Sequence, residues 1–197
     1  MKSLTTSLVA AAALAGVAVA GETTSAKSYK QLAAPAPASC FSDRELQIDT
    51  FGQASFGDGS KAGLFRDSAY GGGVGLNYFF HRNIGLGIDA AWLSAKESTI
   101  GGNTDDDRTT LHNVTGSLIF RAPIDSACLA PYAYLGGGFH ADGYNWASGH
   151  VGVGIEFRIV PQKVGIFVDG RWTFLGDRGG EDNLNFASVR AGVRLVF

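Results

Sequence analysis

The sequence is poor in charge, in cysteine and in long apolar runs. Charged residues make up 17% of its 197 residues, below the quarter or so that is usual for a soluble domain. The net charge is −2, so nothing indicates a basic surface for nucleic acid, and we expect no nucleic-acid partner. Beyond residue 20 no apolar run reaches about 18 residues, which excludes a membrane-spanning helix there. The length fits about one domain.

Only two cysteines are present, and neither has the spacing of a CxxC or metal-ligand motif. In an exported protein two cysteines suggest one bridge, so we predict a Cys40–Cys128 disulfide; two unpaired thiols are the alternative. Asp105-Asp106-Asp107 could suggest calcium, but the alternating Asp spacing of a calcium loop is missing. We therefore predict no metal and no cofactor. The acidic loops could instead hold divalent cations that bridge lipopolysaccharide phosphates.

Glycine, in contrast, is abundant, with 28 residues, about twice its usual share. Glycine is a poor strand former in ordinary sheets, so a sheet-rich chain needs a geometric reason to contain so much of it. A narrow closed barrel provides that reason, because inward glycines leave room for long side chains.

The first 42 residues differ in composition from the rest. Residues 1–20 have a positive Lys2, a small apolar stretch and the cleavage-site pattern Ala18-Val19-Ala20, which together predict a secretory signal peptide; a short membrane anchor is the alternative. Residues 21–42 are rich in Ala, Pro, Ser and Thr and are predicted to be a periplasmic leader. This leader either lies across the mouth of the folded domain or is disordered. The folded domain is predicted over 43–197.

The last segment, 185–197, alternates strictly between two kinds of side chain. One face is apolar throughout and ends on Phe197, and the other carries Arg190 and Arg194. Side chains on a strand alternate between faces, so this is a strand with an apolar wall and a charged wall. A strand that is apolar outward and charged inward is typical of a barrel whose solvent is lipid.

The same alternation predicts seven earlier strands. They span 45–57, 70–80, 84–93, 112–122, 129–140, 150–160 and 164–175. We predict tight turns after the second, fourth and sixth strands and longer loops after the first, third, fifth and seventh, the fifth being followed by loop 141–149. Short periplasmic turns and longer outer loops are expected of a transmembrane barrel. The predicted fold is an all-β, eight-stranded, antiparallel, up-and-down transmembrane β-barrel.

The inner wall of this barrel is predicted to hold charges of both signs in near balance. They are the acids Asp49, Asp89, Glu156 and Asp169 and the bases Arg121, Arg158, Arg171, Arg190 and Arg194. Ionised groups in a low-dielectric interior must be paired or hydrated, and near balance favours pairs. An eight-stranded barrel is just wide enough for side chains to fill it. We therefore predict a plugged lumen with a structural ion network.

The chain resembles the small outer-membrane β-barrel family of the OmpA/OmpX type. The resemblance covers about 43–197 and rests on the signal peptide, the eight alternating strands, the segment Pro131-Tyr132-Ala133-Tyr134-Leu135-Gly136-Gly137-Gly138 and the ending Arg194-Leu195-Val196-Phe197. It implies residence in the outer membrane of a Gram-negative-type bacterium and Phe197 as the signal read by the barrel-assembly machinery. Family members act as envelope tethers, adhesins or serum-resistance factors, and a few modify lipids.

From this resemblance, and from the apolar outer face and charged inner face of the strands, we expect a monomeric, non-enzymatic barrel. We expect its four outer loops to contact membrane lipid, lipopolysaccharide or an unknown external ligand. A small channel is the first alternative. A lipid-modifying enzyme is the second, in which His81, His112, His140 or His150 could serve in catalysis. Of these, His140 and His150 flank one loop and share the inward face. No serine stands at a motif spacing from either histidine. A soluble barrel or sandwich is the third.

Overall fold

The computed structural model describes residues 39–57, 68–96, 108–141, 145–175 and 185–197. These residues form eight strands and one short 3₁₀ turn, Asp125–Ala127 (η1). The strands are β1 Glu45–Gly57, β2 Ser68–His81, β3 Ile84–Lys96, β4 Arg108–Arg121, β5 Leu129–Ala141, β6 Asn145–Val160, β7 Val164–Leu175 and β8 Phe186–Val196. No helix in these residues is long and apolar enough to cross a membrane.

Each strand pairs antiparallel with the next, and β8 returns to pair with β1, so the sheet closes into a barrel. The closing register runs from Gln47↔Val196 to Gly57↔Phe186 and sets Asp49 opposite Arg194. Beyond it, Leu46 and Phe197 exchange backbone hydrogen bonds of 3.1 and 2.9 Å. The predicted fold, an eight-stranded antiparallel up-and-down barrel, is confirmed. The role of Phe197 as an assembly signal stays a prediction.

Burial alternates residue by residue along the strands. In β1 every second residue from Glu45 to Ser55 is buried, while the residues between them face outward. The outward positions carry large exposed apolar side chains, and the inward positions carry most of the buried polar and charged ones. This is the reverse of a soluble sheet, which turns its apolar face inward. The barrel has its polar core inside and an apolar wall outside.

Strands β1 and β7 have the predicted bounds, but several loop-side strand ends differ. The largest difference is in β6, which begins at Asn145 instead of 150, because ladder pairing with β5 continues to Ala141↔Asn145. The predicted loop 141–149 is therefore wrong, and only three residues separate β5 from β6. Seven residues, 122–128, separate β4 from β5 and include η1. The predicted alternation of short turns and long loops fails at this pair of connections and holds at the others.

The two cysteines meet at one end of the barrel. Cys40 and Cys128 form a disulfide with a Cα–Cα distance of 5.3 Å, which confirms the predicted bridge. Of the predicted leader only residues 39–42 are described, and they pack against the barrel end that carries the β2–β3, β4–β5 and β6–β7 connections, here called the turn end. The opposite end is called the loop end. The predicted signal peptide and Asp105-Asp106-Asp107 lie outside the described residues.

Candidate functional site

The lumen is the most distinctive chemical environment of the molecule. The described strands direct five carboxylates and five guanidinium groups into it, all of them buried. They are Glu45, Asp49, Asp89, Glu156 and Asp169, and Arg121, Arg158, Arg171, Arg190 and Arg194. The sequence analysis did not place Glu45 among the lumen charges, although every second residue of β1 from Glu45 onward, including Gln47 and Asp49, lies on the same face. With Glu45 included, the two signs balance.

The charges nearest the turn end form the first of three layers. Glu45 accepts hydrogen bonds from Arg121, at 2.9 Å, and from Arg158. Glu156 Oε1 lies 2.5 Å from Arg158 Nε, and Glu156 Oε2 lies 3.7 Å from Arg121 Nη1. Gln47 also donates to Glu45. These contacts join strands β1, β4 and β6, so the layer ties the wall together across the lumen.

The middle layer is built on one arginine of the last strand. Arg194 donates to both carboxylate oxygens of Asp49, at 2.7 and 2.6 Å, and to Glu156 at 2.6 Å. Asn77 donates a further hydrogen bond of 2.8 Å to Asp49. The forked guanidinium matches the planar carboxylate, which makes this the strongest kind of ion pair. Because Glu156 also belongs to the first layer, the two layers are continuous.

The third layer lies towards the loop end and surrounds Asp169. Arg190 donates to both oxygens of this carboxylate at 2.8 Å, and Tyr132 and Tyr134 each donate a hydroxyl at 2.9 Å. Asp89 accepts from Arg190 at 3.0 Å and from Arg171 at 2.7 Å. The structure therefore brings all nine sequence-predicted lumen residues into contacts with opposite charges.

Inward glycines make the network possible. Tyr132 and Tyr134 on β5 lie opposite Gly154 and Gly152 on β6. A Cβ atom at Gly154 would come within 2.6 Å of Tyr132 Cζ, and one at Gly152 within 2.3 Å of Tyr134 Cζ. At such distances a side chain at either glycine would force the tyrosine rings to shift. The two glycines of β6 leave the space that the tyrosine rings of β5 occupy.

The segment 39–42 covers the turn end of the lumen. The Phe41 ring is buried, with the guanidinium carbons of Arg121 and Arg158 at 4.8 and 5.0 Å from its centroid. Such cation–π contacts suit guanidinium groups in a desolvated site. Phe41 thereby separates the first charged layer from solvent.

Polar contacts around Asp125 hold this cover in place. Asp125 accepts hydrogen bonds from Arg82 at 2.5 Å, from the Ser39 hydroxyl at 2.9 Å and from the Cys40 amide at 3.2 Å. The hydrogen bonds from Arg82 and Ser39 hold the pKa of the Asp125 carboxyl below its usual 3.8. From the β6–β7 turn, Gln162 donates to the Ser39 carbonyl at 2.7 Å. The cover is fixed by three turn-end connections in addition to the disulfide.

The loop end of the lumen is closed by apolar side chains. Ala69, Leu93, Leu111, Leu175 and Phe186 form one buried cluster contributed by β2, β3, β4, β7 and β8. Between this cluster and the third charged layer lie buried polar residues such as Asn113, His150 and Thr173. Within the described lumen the ion network is therefore bounded by aromatic and apolar groups at both ends.

The lumen charges surround a small cavity. A cavity of about 20 Å³ lies among side chains that include Asp49, Asp89, Tyr132, Arg190 and Arg194. Roughly 10–15 Å³ is the least that holds a water molecule, so this cavity has room for about one.

Comparison with known proteins is informative only at the level of structure. No protein-family model matches the sequence, and no curated protein does. The barrel is similar to the crystal structure of Neisserial surface protein A, NspA, with a TM-score of 0.54 and 18% identity over 82% of this chain and 99% of that one.

Two further barrels show a weaker similarity. The N-terminal barrel of OprF from Pseudomonas aeruginosa gives a TM-score of 0.48 at 16% identity, over 79% of this chain and 99% of that one. The attachment invasion locus protein Ail of Yersinia pestis gives 0.47 at 17% identity, with the same two coverages. The comparison that decides the fold is the one with NspA.

The protein has the fold of the small outer-membrane β-barrels.

Aromatic side chains mark both rims of this outer-membrane barrel fold. Tyr70, Trp92, Phe139, Trp172 and Phe174 lie outward near the loop end, and Tyr78, Phe80, Phe120, Phe157 and Phe197 lie outward near the turn end. Girdles of this kind mark the two lipid–water interfaces of transmembrane barrels. The apolar wall between them suits the hydrocarbon of a bilayer.

The structure also places two side chains together that the sequence did not connect. Ser117 Oγ lies 2.9 Å from His150 Nε2. Ser117, Gly136 and His150 are in register on β4, β5 and β6, so the missing side chain at Gly136 lets His150 reach past β5. No linear motif could have shown this, because 33 residues separate the pair.

Among the described residues, this serine–histidine pair has no third group of a hydrolytic site beside it. The other ring nitrogen of His150 has no hydrogen-bond partner in that part of the chain, whereas a catalytic histidine is normally oriented by a third group. Both side chains are buried below the apolar cluster of the loop end. His140 is also buried, and its ring packs edge-on against Phe186. Among the described residues, no group of three or more His, Cys, Asp or Glu side chains could hold a metal ion.

Proposed function

We propose that this protein is an integral outer-membrane barrel with a plugged lumen, whose role is structural and interactive. The observation that carries the proposal is the lumen itself, where five carboxylates and five guanidinium groups of the described strands pair across the barrel and surround a cavity of about 20 Å³. The apolar outer wall with its two aromatic girdles supports residence in a bilayer. The likeness of fold to NspA supports the outer membrane of a Gram-negative-type bacterium.

The paired charges explain why the lumen would not conduct. An ion entering it would have to displace a guanidinium or carboxylate from its partner and leave the other charge buried and unpaired. Breaking a buried pair in this way costs about 3–5 kcal/mol, and the three layers lie one after another along the axis. The turn-end cover of Phe41 adds a further obstacle.

Two measurements test this proposal. Membrane fractionation of the expressed protein is expected to recover it with outer membranes. In planar bilayers the purified, refolded protein is expected to give no unitary conductance, with a large porin as the positive control. Reproducible single-channel steps would overturn the plugged lumen and favour the small channel, and recovery in the soluble fraction would favour the soluble alternative.

The interactive part of the proposal concerns the four connections at the loop end. Three of these four connections, 58–67, 97–107 and 176–185, are longer than any turn-end connection. In a transmembrane barrel the longer loops face the exterior, so the loop end would present the protein to lipopolysaccharide or to an external ligand. The barrel-assembly machinery is the proposed partner during insertion, and a monomer is the proposed state afterwards. Proteolysis of intact cells should cut the loop-end connections and spare the turn end. We propose no enzymatic role, and an unchanged mass of lipid A on expression is the expected result.

A further inference from the structure

A groove of about 800 Å³ crosses the apolar outer wall of the barrel. It runs over five consecutive strands, β4 to β8, and its exposed lining residues include Phe120, Ala133, Val153, Gly170 and Val189. The residues between them along each strand point into the lumen, so it is their backbone that forms the floor of the groove. The volume is within the roughly 300–1,000 Å³ that is usual for small-molecule sites.

The strand register explains the shape of this outer groove. From each strand to the next, the register sets opposite one another Phe120, Ala133, Val153, Gly170 and Val189. Large and small side chains alternate along this row, so the wall dips at Ala133 and at Gly170. A Cβ atom added at Gly170 would have no atom within 4 Å. Neighbouring strands lie about 4.8 Å apart, so the row is about 19 Å long along the wall.

The outer groove rises obliquely from the turn end of the barrel. Phe120 belongs to the turn-end girdle, and Ala122 and Pro131, which also line the groove, lie at the ends of the β4–β5 connection. At the other end of the row, Val189 is closer to the loop end of its strand. One leaflet supplies about half of the roughly 30 Å hydrocarbon core, so a length of about 19 Å suits a single acyl chain lying obliquely.

Two charged groups lie at the turn-end mouth of the groove. Asp125 follows Ala122 in the β4–β5 connection, and Arg82 from the β2–β3 turn pairs with it at 2.5 Å. The side chains of Arg82 and Asp125 remain 35% and 37% exposed. A cation and an anion side by side are complementary to a lipid headgroup that itself carries a phosphate and an ammonium.

A second copy of the chain fits the groove less well than a hydrocarbon chain. A twofold dimer brings the same patch of both subunits together, and two facing grooves would enclose space instead of filling it. In a bilayer lipid already covers apolar surfaces, so close packing must drive any specific association there. A flexible acyl chain in the groove contacts protein on its floor and both sides, and each added contact contributes dispersion energy.

We propose that the outer groove binds one acyl chain of a zwitterionic glycerophospholipid, with the lipid headgroup beside the Arg82–Asp125 pair. The phosphate of the headgroup lies at Arg82 and its ammonium at Asp125. The turn end faces the periplasm under the proposed function, on which this inference rests, and the leaflet on that side of an outer membrane consists of glycerophospholipid. The site is therefore separate from any contact of the loop end with lipopolysaccharide.

The test titrates the protein, refolded in detergent micelles, with palmitoyl-oleoyl phosphatidylethanolamine and follows binding by native mass spectrometry. Ala133→Leu/Gly170→Leu fills both dips of the groove and keeps the wall apolar. Its affinity is expected to fall about fivefold, the effect of losing roughly eight carbon–carbon contacts. The matched control, Ala90→Leu/Gly116→Leu, makes the same two changes on the outer faces of β3 and β4, outside the groove, and should leave the affinity unchanged. An equal affinity in the groove variant and the unmodified protein would overturn the site.

A second pair of variants tests the headgroup contact. The unmodified protein is expected to bind the phosphatidylethanolamine about threefold more tightly than the diacylglycerol with the same chains. Arg82→Gln should remove that preference, whereas Arg44→Gln, which removes an exposed cation at the same end, should keep it. Equal binding of the two lipids by the unmodified protein would overturn the headgroup contact. Binding of lipid A as tight as that of the phosphatidylethanolamine would overturn the assignment to the turn-end leaflet.

Insertion of the unmodified protein and of each variant into bilayers is measured first, by membrane flotation. An unmodified barrel that does not insert contradicts the proposed function, whereas inserted barrels whose affinity does not respond to filling the groove contradict this site alone.

Discussion

At the scale of single residues, the charged side chains of the lumen are paired with protein groups in place of water. Arg190 and Arg194 each form a two-point contact with one carboxylate and a further contact with a second. Burying an ion costs several kcal/mol, and the pair recovers that cost only when geometry is good and the remaining hydrogen-bonding positions are filled. Asp169, with four donors in the described lumen, meets that condition well.

Replacing Asp169 by Asn should therefore destabilise the barrel strongly. The substitution keeps the shape but removes the charge that balances Arg190, and the expected loss is about 3 kcal/mol of unfolding free energy. Urea titration of the refolded protein in detergent, followed by tryptophan fluorescence, measures the loss. Asp43→Asn is the control, because Asp43 is exposed and accepts one hydrogen bond, from the Arg82 amide, so the change should stay within about 0.5 kcal/mol. Equal effects of the two variants would contradict the paired-charge account.

Asp125 makes the turn-end cover sensitive to acid. Its pKa in the folded protein lies below the ordinary 3.8, so its stabilising contribution is present above that pH and is lost as the pH falls through the folded value. The Cys40 amide, which donates to this carboxylate, should accordingly lose hydrogen-exchange protection below about pH 3.8. Asp125→Asn should remove this dependence on pH. Protection of Cys40 that is equally dependent on pH in both proteins would show that another group is responsible.

At the scale of strands, the two-residue period determined most of what could be predicted. It fixed the number of strands and the bounds of β1 and β7, and it placed the predicted charges on the inner wall. It could not fix the loop-side ends, because ladder pairing continues through polar residues such as Asn145 that also suit a loop. The contact between Ser117 and His150 depends on the missing side chain of Gly136, which lies on a third strand. The residue pattern of any one strand could not have predicted it.

Glycines on opposite faces of the wall should respond differently to the same substitution. Gly154 faces inward, where a Cβ would lie 2.5 Å from the Asp169 Cβ, so Gly154→Ala is expected to cost about 1–3 kcal/mol. Gly170 has no atom within 4 Å of such a Cβ, so Gly170→Ala should be neutral or stabilise by about 0.5 kcal/mol. Urea midpoints of the two variants provide the comparison. A Gly170→Ala loss as large as that of Gly154→Ala would mean that backbone freedom, and not space for the rings, explains the glycines.

At the scale of the whole molecule, the barrel is closed at its turn end by a segment that precedes the first strand. The disulfide joins that segment to the β4–β5 connection across 88 residues. In the chain-entropy account a disulfide that closes a loop of this length destabilises the unfolded state by about 4–5 kcal/mol. The measured effects of disulfides are commonly about 2–4 kcal/mol. Cys40→Ser/Cys128→Ser should therefore lower the unfolding free energy by about 2–4 kcal/mol. The barrel itself should still form, because the β1–β8 register involves neither cysteine.

Loss of the bridge should also uncover Phe41, since the remaining contacts of segment 39–42 are hydrogen bonds, cation–π contacts and packing against the small side chain of Ala130. Limited chymotrypsin digestion, read by mass spectrometry, should cut after Phe41 in the double variant and in the reduced unmodified protein, and spare it in the oxidised protein. Cleavage that is equally slow in all three would show that the hydrogen bonds around Asp125 suffice to hold the cover. If the unfolding free energy falls while Phe41 stays protected from cleavage, the disulfide stabilises the protein only by restricting the unfolded chain.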